Sequence, residues 1–187
     1  MLETPRSVSV TALTDVTVLT MDKYDFMYFI RGSEIALHME VIAANRDAGS
    51  SELFEDTFCF KGLTMAQQTQ LQSMITRCKA KPGDIIAEQG NVCFNFFLID
   101  SGKFSILIGN KPFTNIGRGS FIAKINADLK RGNYRFTVKA LEDSYYYKVD
   151  ANDFYSFLEK NPGIFLFMRN SKMRDLLLVN HSAKHDN

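Results

Sequence analysis

The sequence has no tryptophan, three cysteines, three histidines and four prolines in 187 residues. Cys59, Cys78 and Cys93 are odd in number, and their spacings match no zinc or redox motif. Each lies in or beside an apolar run, so they are expected to be buried free thiols of a reducing compartment. His181 and His185 are four apart in a polar tail with no third ligand, so no metal site is expected. An excess of one charge is also lacking: 22 Lys+Arg against 21 Asp+Glu leave a net charge of +1. That balance excludes the basic footprint of a large nucleic-acid interface. No apolar run approaches a membrane span, and the opening residues MLETPRSV lack the parts of a signal peptide, so a cytoplasmic protein is expected. What remains, 45% hydrophobic and 23% charged residues with 16 phenylalanines, is the composition of a folded globular chain.

The chain contains a repeat. Val10-Thr-Ala-Leu-Thr-Asp15 matches Val138-Lys-Ala-Leu-Glu-Asp143, and Asp22-Lys-Tyr-Asp-Phe26 matches Asp150-Ala-Asn-Asp-Phe154, both at an offset of 128. Two matches in one register imply that the last third of one unit precedes a complete second unit. The expected division is therefore 1–47 for the end of a first unit plus a connecting helix, 52–180 for a complete unit, and 181–187 for a tail.

Within the complete unit, helices bracket a strand-rich middle. Ser33 can cap a helix running to Asn45, followed by a linker signal at Asp47-Ala-Gly49-Ser-Ser51. Thr64-Met-Ala-Gln67 is a capping-box pattern that opens a helix expected to end near Arg77, with Leu71, Met74, Ile75 and Cys78 on one face. From Ala80 onward, short apolar runs alternate with glycine turns, and Phe104, Ile106 and Ile108 alternate as in a strand with one buried face. After Tyr145-Tyr-Tyr147 the pattern returns to helix, with Asp150 or Asn152 as one cap and Asn161-Pro162 starting a last helix toward Asn180. The expected fold class is α+β, a small antiparallel β-roll or jelly-roll flanked by N- and C-terminal helices.

That order resembles the cyclic-nucleotide-binding domain of protein kinase regulatory subunits, cyclic-nucleotide-gated channels and the catabolite activator. The resemblance rests on Lys81-Pro-Gly83-Asp84-Ile-Ile86, Glu88-Gln-Gly90, Asp100-Ser-Gly102-Lys103 and Gly117-Arg-Gly119-Ser-Phe121. Residues 4–30 look like the end of a preceding copy. There Thr4-Pro5-Arg6-Ser7-Val8-Ser9-Val10 is similar to the family's cassette ending, in which the arginine pairs with the cyclic phosphate. Ser7 stands where relatives preferring cyclic GMP often carry a hydroxyl.

The resemblance implies a phosphate held by an arginine fork and backbone N–H groups, and a carboxylate accepting from the ribose. In the complete unit the family's Phe-Gly-Glu falls on Phe121-Ile122-Ala123, which lacks the carboxylate, and the counterpart of Arg6 is Tyr134. Arg135 is next door, but in extended chain a one-residue displacement turns a side chain to the opposite face. Each lost charge-assisted contact costs on the order of 1.5–3 kcal/mol, so losing both weakens binding a few thousandfold. The expected role is a non-catalytic regulatory module whose complete domain does not bind cyclic nucleotide in the usual way. Its partners would be kinase, channel or exchange-factor effectors, with the wide apolar stripe of the last helix offering a homodimer contact. The alternative is a receptor binding cyclic AMP, cyclic GMP or another nucleotide-like ligand through a remodelled cassette. Phe121 to Val138, with Arg131, Arg135 and Thr137, would then carry it.

Overall fold

A computed structural model describes residues 9–124 and 132–170. Four helices lead: α1 (Lys23–Ile30), α2 (Glu34–Asp47), α3 (Ser50–Asp56) and α4 (Met65–Met74). Eight strands follow: β1 (Thr76–Ala80), β2 (Ile85–Ala87), β3 (Asn95–Ser101), β4 (Phe104–Ile108), β5 (Lys111–Ile116), β6 (Phe121–Ile122), β7 (Thr137–Ala140) and β8 (Ser144–Asp150). Then come α5 (Ala151–Lys160) and α6 (Pro162–Asn170). The expected stretch of the last helix beyond Asn170 lies outside the described residues.

The strands form two four-stranded antiparallel sheets, ordered β1-β8-β3-β6 and β2-β7-β4-β5, so the expected roll is present. Strand β3 explains how the two layers share one chain. Phe96 and Leu98 turn toward the helices and Phe97 and Ile99 toward the opposite sheet, and all four are buried. A strand covered on both faces reads as an unbroken apolar run, as Phe96-Phe-Leu-Ile99 does. One core lies between the sheets, around Phe97, Ile99, Phe104, Ile106 and Val138. The other lies between sheet and helices, where Phe54, Phe60, Phe96, Phe121 and Phe154 meet largely edge to face.

Local chemistry sets the boundaries. Ser33 caps α2 through Ala36 N, and Thr64 and Gln67 close both halves of the expected capping box at α4. Helix α4 stops at Met74, however, and Arg77 and Cys78 belong to β1, because β8 offers a partner: Arg77 pairs with Tyr147 and Cys78 with Tyr146. Gly49 is not in an extended linker. It takes φ +81°, and Ser50 and Ser51 already belong to α3. Asp150 caps α5, whereas the Asn161 side chain donates to Phe157 O and accepts from Gln67 instead of capping α6. In β4 only the first three positions are buried, and Ile108 is exposed.

A polar knot joins the helices to each other. Buried Asn45 donates to the carbonyls of Gln72 and Ile75 at 2.7 and 3.0 Å, satisfying the end of α4. Gln72 donates to Ser50 and Ser51 and accepts from Arg46. A second knot joins helix α3 to the roll. Buried Asp100 accepts from Arg77 at 2.8 Å and from Arg118 at 2.9 Å, and Arg118 also reaches Asp56 of α3 at 3.1 Å. Gly102 turns β3 into β4 at φ +84°, where a Cβ would lie 2.1 Å from the Ser144 hydroxyl.

Cys59 and Cys93 are buried free thiols, as expected, while Cys78 is only half-buried. Burial pushes the Cys59 thiol pKa up, so it stays protonated and unreactive. No helix among the described residues is long and apolar enough to cross a membrane, and no cluster of metal-ligating side chains occurs among them.

Candidate functional site

The segment that returns to the roll after residue 131 is tied to the turn before β3. Gly90 N donates to Tyr134 O, Tyr134 N to Asn91 O, and Cys93 N to Gly132 O, at 2.9, 2.9 and 2.8 Å. These bonds hold Gly132, Asn133 and Tyr134 extended beside Gly90–Cys93. Tyr134 is half-buried and Phe136 is buried in the inter-sheet core, while Arg135, where the chain bends, is exposed.

Between this segment and the β2–β3 region opens a cleft of about 510 Å³. Its described lining is Ile85, Ile86, Ala87, Glu88, Asn91, Val92, Phe94, Asn95, Phe97 and Tyr134. The Tyr134 ring stacks on Phe97 with centroids 6.3 Å apart, and its hydroxyl donates to Asn95 O at 2.5 Å. Burial first, then the neighbouring Cys93 thiol, pushes the Tyr134 phenol pKa well up, so it remains a neutral donor. Asn91 donates to Glu88 at 2.9 Å at the rim. Thr137 accepts from Gln89 N, and the Gln89 side chain accepts in turn from Gly109 N, fixing the adjoining turn.

The residues singled out in the sequence are therefore only partly brought together. Tyr134 lines the cleft, Thr137 braces its edge, and Arg135 is exposed and absent from the cleft's described lining. Phe121 and Ile122 form β6 against β3, Phe121 in the helix-side core and Ile122 in the inter-sheet core, with Ala123 packed beside Phe121's cluster. Their side chains fill the interior and are absent from the cleft's described lining. Lys124 lies over Gly132, where a Cβ would come within 2.2 Å of its ammonium. Arg6, Ser7 and Arg131 lie outside the described residues, as do His181 and His185.

Sequence reasoning missed Glu88, Asn91, Phe94 and Asn95 as lining residues. The only signal was the turn motif Glu88-Gln-Gly90, whose position beside Tyr134 requires the long-range bonds above. Among the described lining residues Glu88 is the one carrying a formal charge. The cleft thus presents apolar and aromatic walls, two amides and a carboxylate.

The chain is similar to known proteins in part of its sequence and in its fold. Residues 77–161 match the family described as cyclic nucleotide-binding domain. Over 162 residues the chain is 30% identical to the cGMP-dependent 3',5'-cGMP phosphodiesterase A of Dictyostelium discoideum, a match that takes in 85% of this chain and 19% of that one. The chain thus spans about a fifth of that relative. The fold is similar to the C-linker/CNBHD of zELK channels crystallised in the presence of cAMP, with TM-score 0.62, 14% identity, and 79% of this chain and 76% of that one covered. It is also similar to the regulatory subunit of a cAMP-independent protein kinase A from Trypanosoma brucei, seen as a mutant bound to cAMP in the A site. That match has TM-score 0.62 and 14% identity and covers 76% of this chain and 52% of that one.

Proposed function

We propose, from the premise that residues 77–161 are a domain of the cyclic nucleotide-binding family, that the chain is a non-catalytic regulatory module. In this reading its complete roll does not hold a cyclic nucleotide in the family's usual mode. The observation that carries the reading is Tyr134. It occupies the counterpart position of Arg6, stacked on Phe97 and bonded to Asn95, while the neighbouring arginine at 135 faces solvent. Aromatic packing there offers no charge to a phosphate.

The module would act on a protein effector, of the kinase, channel or exchange-factor kind, through the helices beside the roll. Helices α1 and α2 supply one moving part and the helix starting at Pro162 the other, since helical elements beside a rigid sheet have discrete alternative packings. Residues 1–47 are read as the end of a first unit with its connecting helix, and 52–180 as the second unit. The test is thermal unfolding of the purified chain with millimolar cyclic AMP or cyclic GMP. A native-state ligand at 100 times its dissociation constant adds about 2.7 kcal/mol. The expected result is no shift; a clear shift with either overturns the reading.

A second reading, a small-molecule receptor, is favoured by one observation. The cleft of about 510 Å³ falls in the size range of ligand pockets. Charge reversal at Arg131 or Arg135 checks whether a remodelled cassette contributes, because only then does ligand-induced stabilisation disappear.

A further inference from the structure

We infer that the cleft selects an uncharged planar heterocycle bearing N–H or O–H donors, of the nucleoside class, and disfavours the same heterocycle carrying a phosphate. The inference rests on the receptor reading and adds the ligand's chemistry to it. Three observations carry it. The walls are apolar and aromatic: Phe97 and Tyr134 stack at an interplanar angle of 30°, and Phe94 leaves its ring half exposed at the mouth. Phe97 is buried behind Tyr134, so the half-exposed Phe94 and half-buried Tyr134 are the rings that can take a planar π system, and base–aromatic stacking is tolerant of which base is offered.

The polar groups also match donors rather than anions. Glu88 carries an acceptor carboxylate oxygen beyond the one bonded to Asn91, and the Asn95 side-chain amide adds a neutral donor and acceptor. A ring N–H, an exocyclic amine or a sugar hydroxyl can donate to Glu88, whereas a phosphate cannot and is repelled by it. Finally, the Tyr134 hydroxyl is already committed to the Asn95 carbonyl, so this side chain acts as a fixed wall and not as a free phosphate donor. The described lining therefore rewards stacking and hydrogen-bond donation, and offers an anion neutral amide donors but no cation to pair with.

The experiment is isothermal titration of the full chain with adenosine, guanosine, cyclic AMP and cyclic GMP, repeated on Glu88→Gln and Phe94→Ala. Both substitutions change exposed side chains at the rim, and circular dichroism confirms that each variant is folded. The expected result is nucleoside binding at least tenfold tighter than binding of the matching cyclic nucleotide. Glu88→Gln should narrow that ratio severalfold, and Phe94→Ala should weaken all ligands together. Equal or tighter binding of the cyclic nucleotides, lost in Arg131→Ala, overturns the selectivity while leaving the receptor reading intact. Absence of binding by all four ligands overturns both.

Discussion

Asp22 and Asp150 cap helices 128 residues apart in the same way. Asp22 accepts from Tyr24 N at 2.7 Å to start α1, and Asp150 accepts from Asn152 N at 2.7 Å to start α5. The residues around them meet opposite fates. Val10 is 90% exposed and its counterpart Val138 0%; Leu19 is 101% exposed and Tyr147 1%; Phe29 is 75% exposed and Phe157 0%. In the later stretch, β7 and β8 pair with β4, β2, β1 and β3, and α5 covers the sheet with Phe154 and Phe157. In the first, residues 9–22 have no strand assignment at all. The same local code therefore makes a capped helix wherever it stands, but it makes a strand only where neighbouring strands accept its N–H and C=O groups.

The sharpest way to break this comparison is a matched pair of truncations. Phe157→Ala removes a fully buried ring and is expected to cost about 3–5 kcal/mol of unfolding free energy. Phe29→Ala at the counterpart position is expected to stay within about 0.5 kcal/mol. Urea unfolding with unchanged slope measures both, and equal costs would mean that residues 9–30 are packed as tightly as the matching stretch 128 residues later.

A smaller effect comes from the two caps. Asp150→Ala should lower global stability by about 1 kcal/mol, because α5 is part of the core. Asp22→Ala should leave the melting temperature unchanged and instead speed hydrogen exchange in α1. A shared drop in melting temperature would show that α1 and the roll unfold as one unit.

A difference confined to alkaline pH concerns Tyr146 and its counterpart Val18. Burial, followed by the Cys78 thiol and Asp84, pushes the Tyr146 phenol up to about 12. The folded state therefore holds its proton longer than the unfolded chain, whose tyrosines titrate near about 10. The contribution is complete below about pH 10 and is lost as pH rises toward 12. Tyr146→Phe should flatten the fall of stability across that window without abolishing it, since Tyr134 and Tyr147 are shifted the same way by burial. A curve identical to the parent's would assign the alkaline transition to other groups.

Much of the fold was legible because its signals are local. The capping box at Thr64, the Ser33 cap, the glycine turns and the apolar run of β3 each depend on residues within a few positions. The boundary at Met74 was not legible, because Thr76–Ala80 becomes a strand only through its register with Ser144–Lys148. Ser50 and Ser51 looked like linker since Gly49 ends one helix and, through its left-handed φ, begins another. The site was less readable than the fold. Tyr134 was singled out from the repeat, and the structure puts it in the cleft's lining and leaves Arg135 exposed. Glu88, Phe94 and Asn95, in contrast, reach the cleft only through bonds spanning some forty residues.

The sequence by itself determined most of the element types, the caps at Ser33, Thr64 and Asp150, and the two matching stretches 128 residues apart. Those properties follow from side-chain chemistry and short-range backbone preference. Only the tertiary structure decided which of two similar segments is buried, where α4 yields to β1, and which groups line the cleft. Burial and strand pairing depend on partners distant in sequence, and their free energy exists only once the sheets have closed.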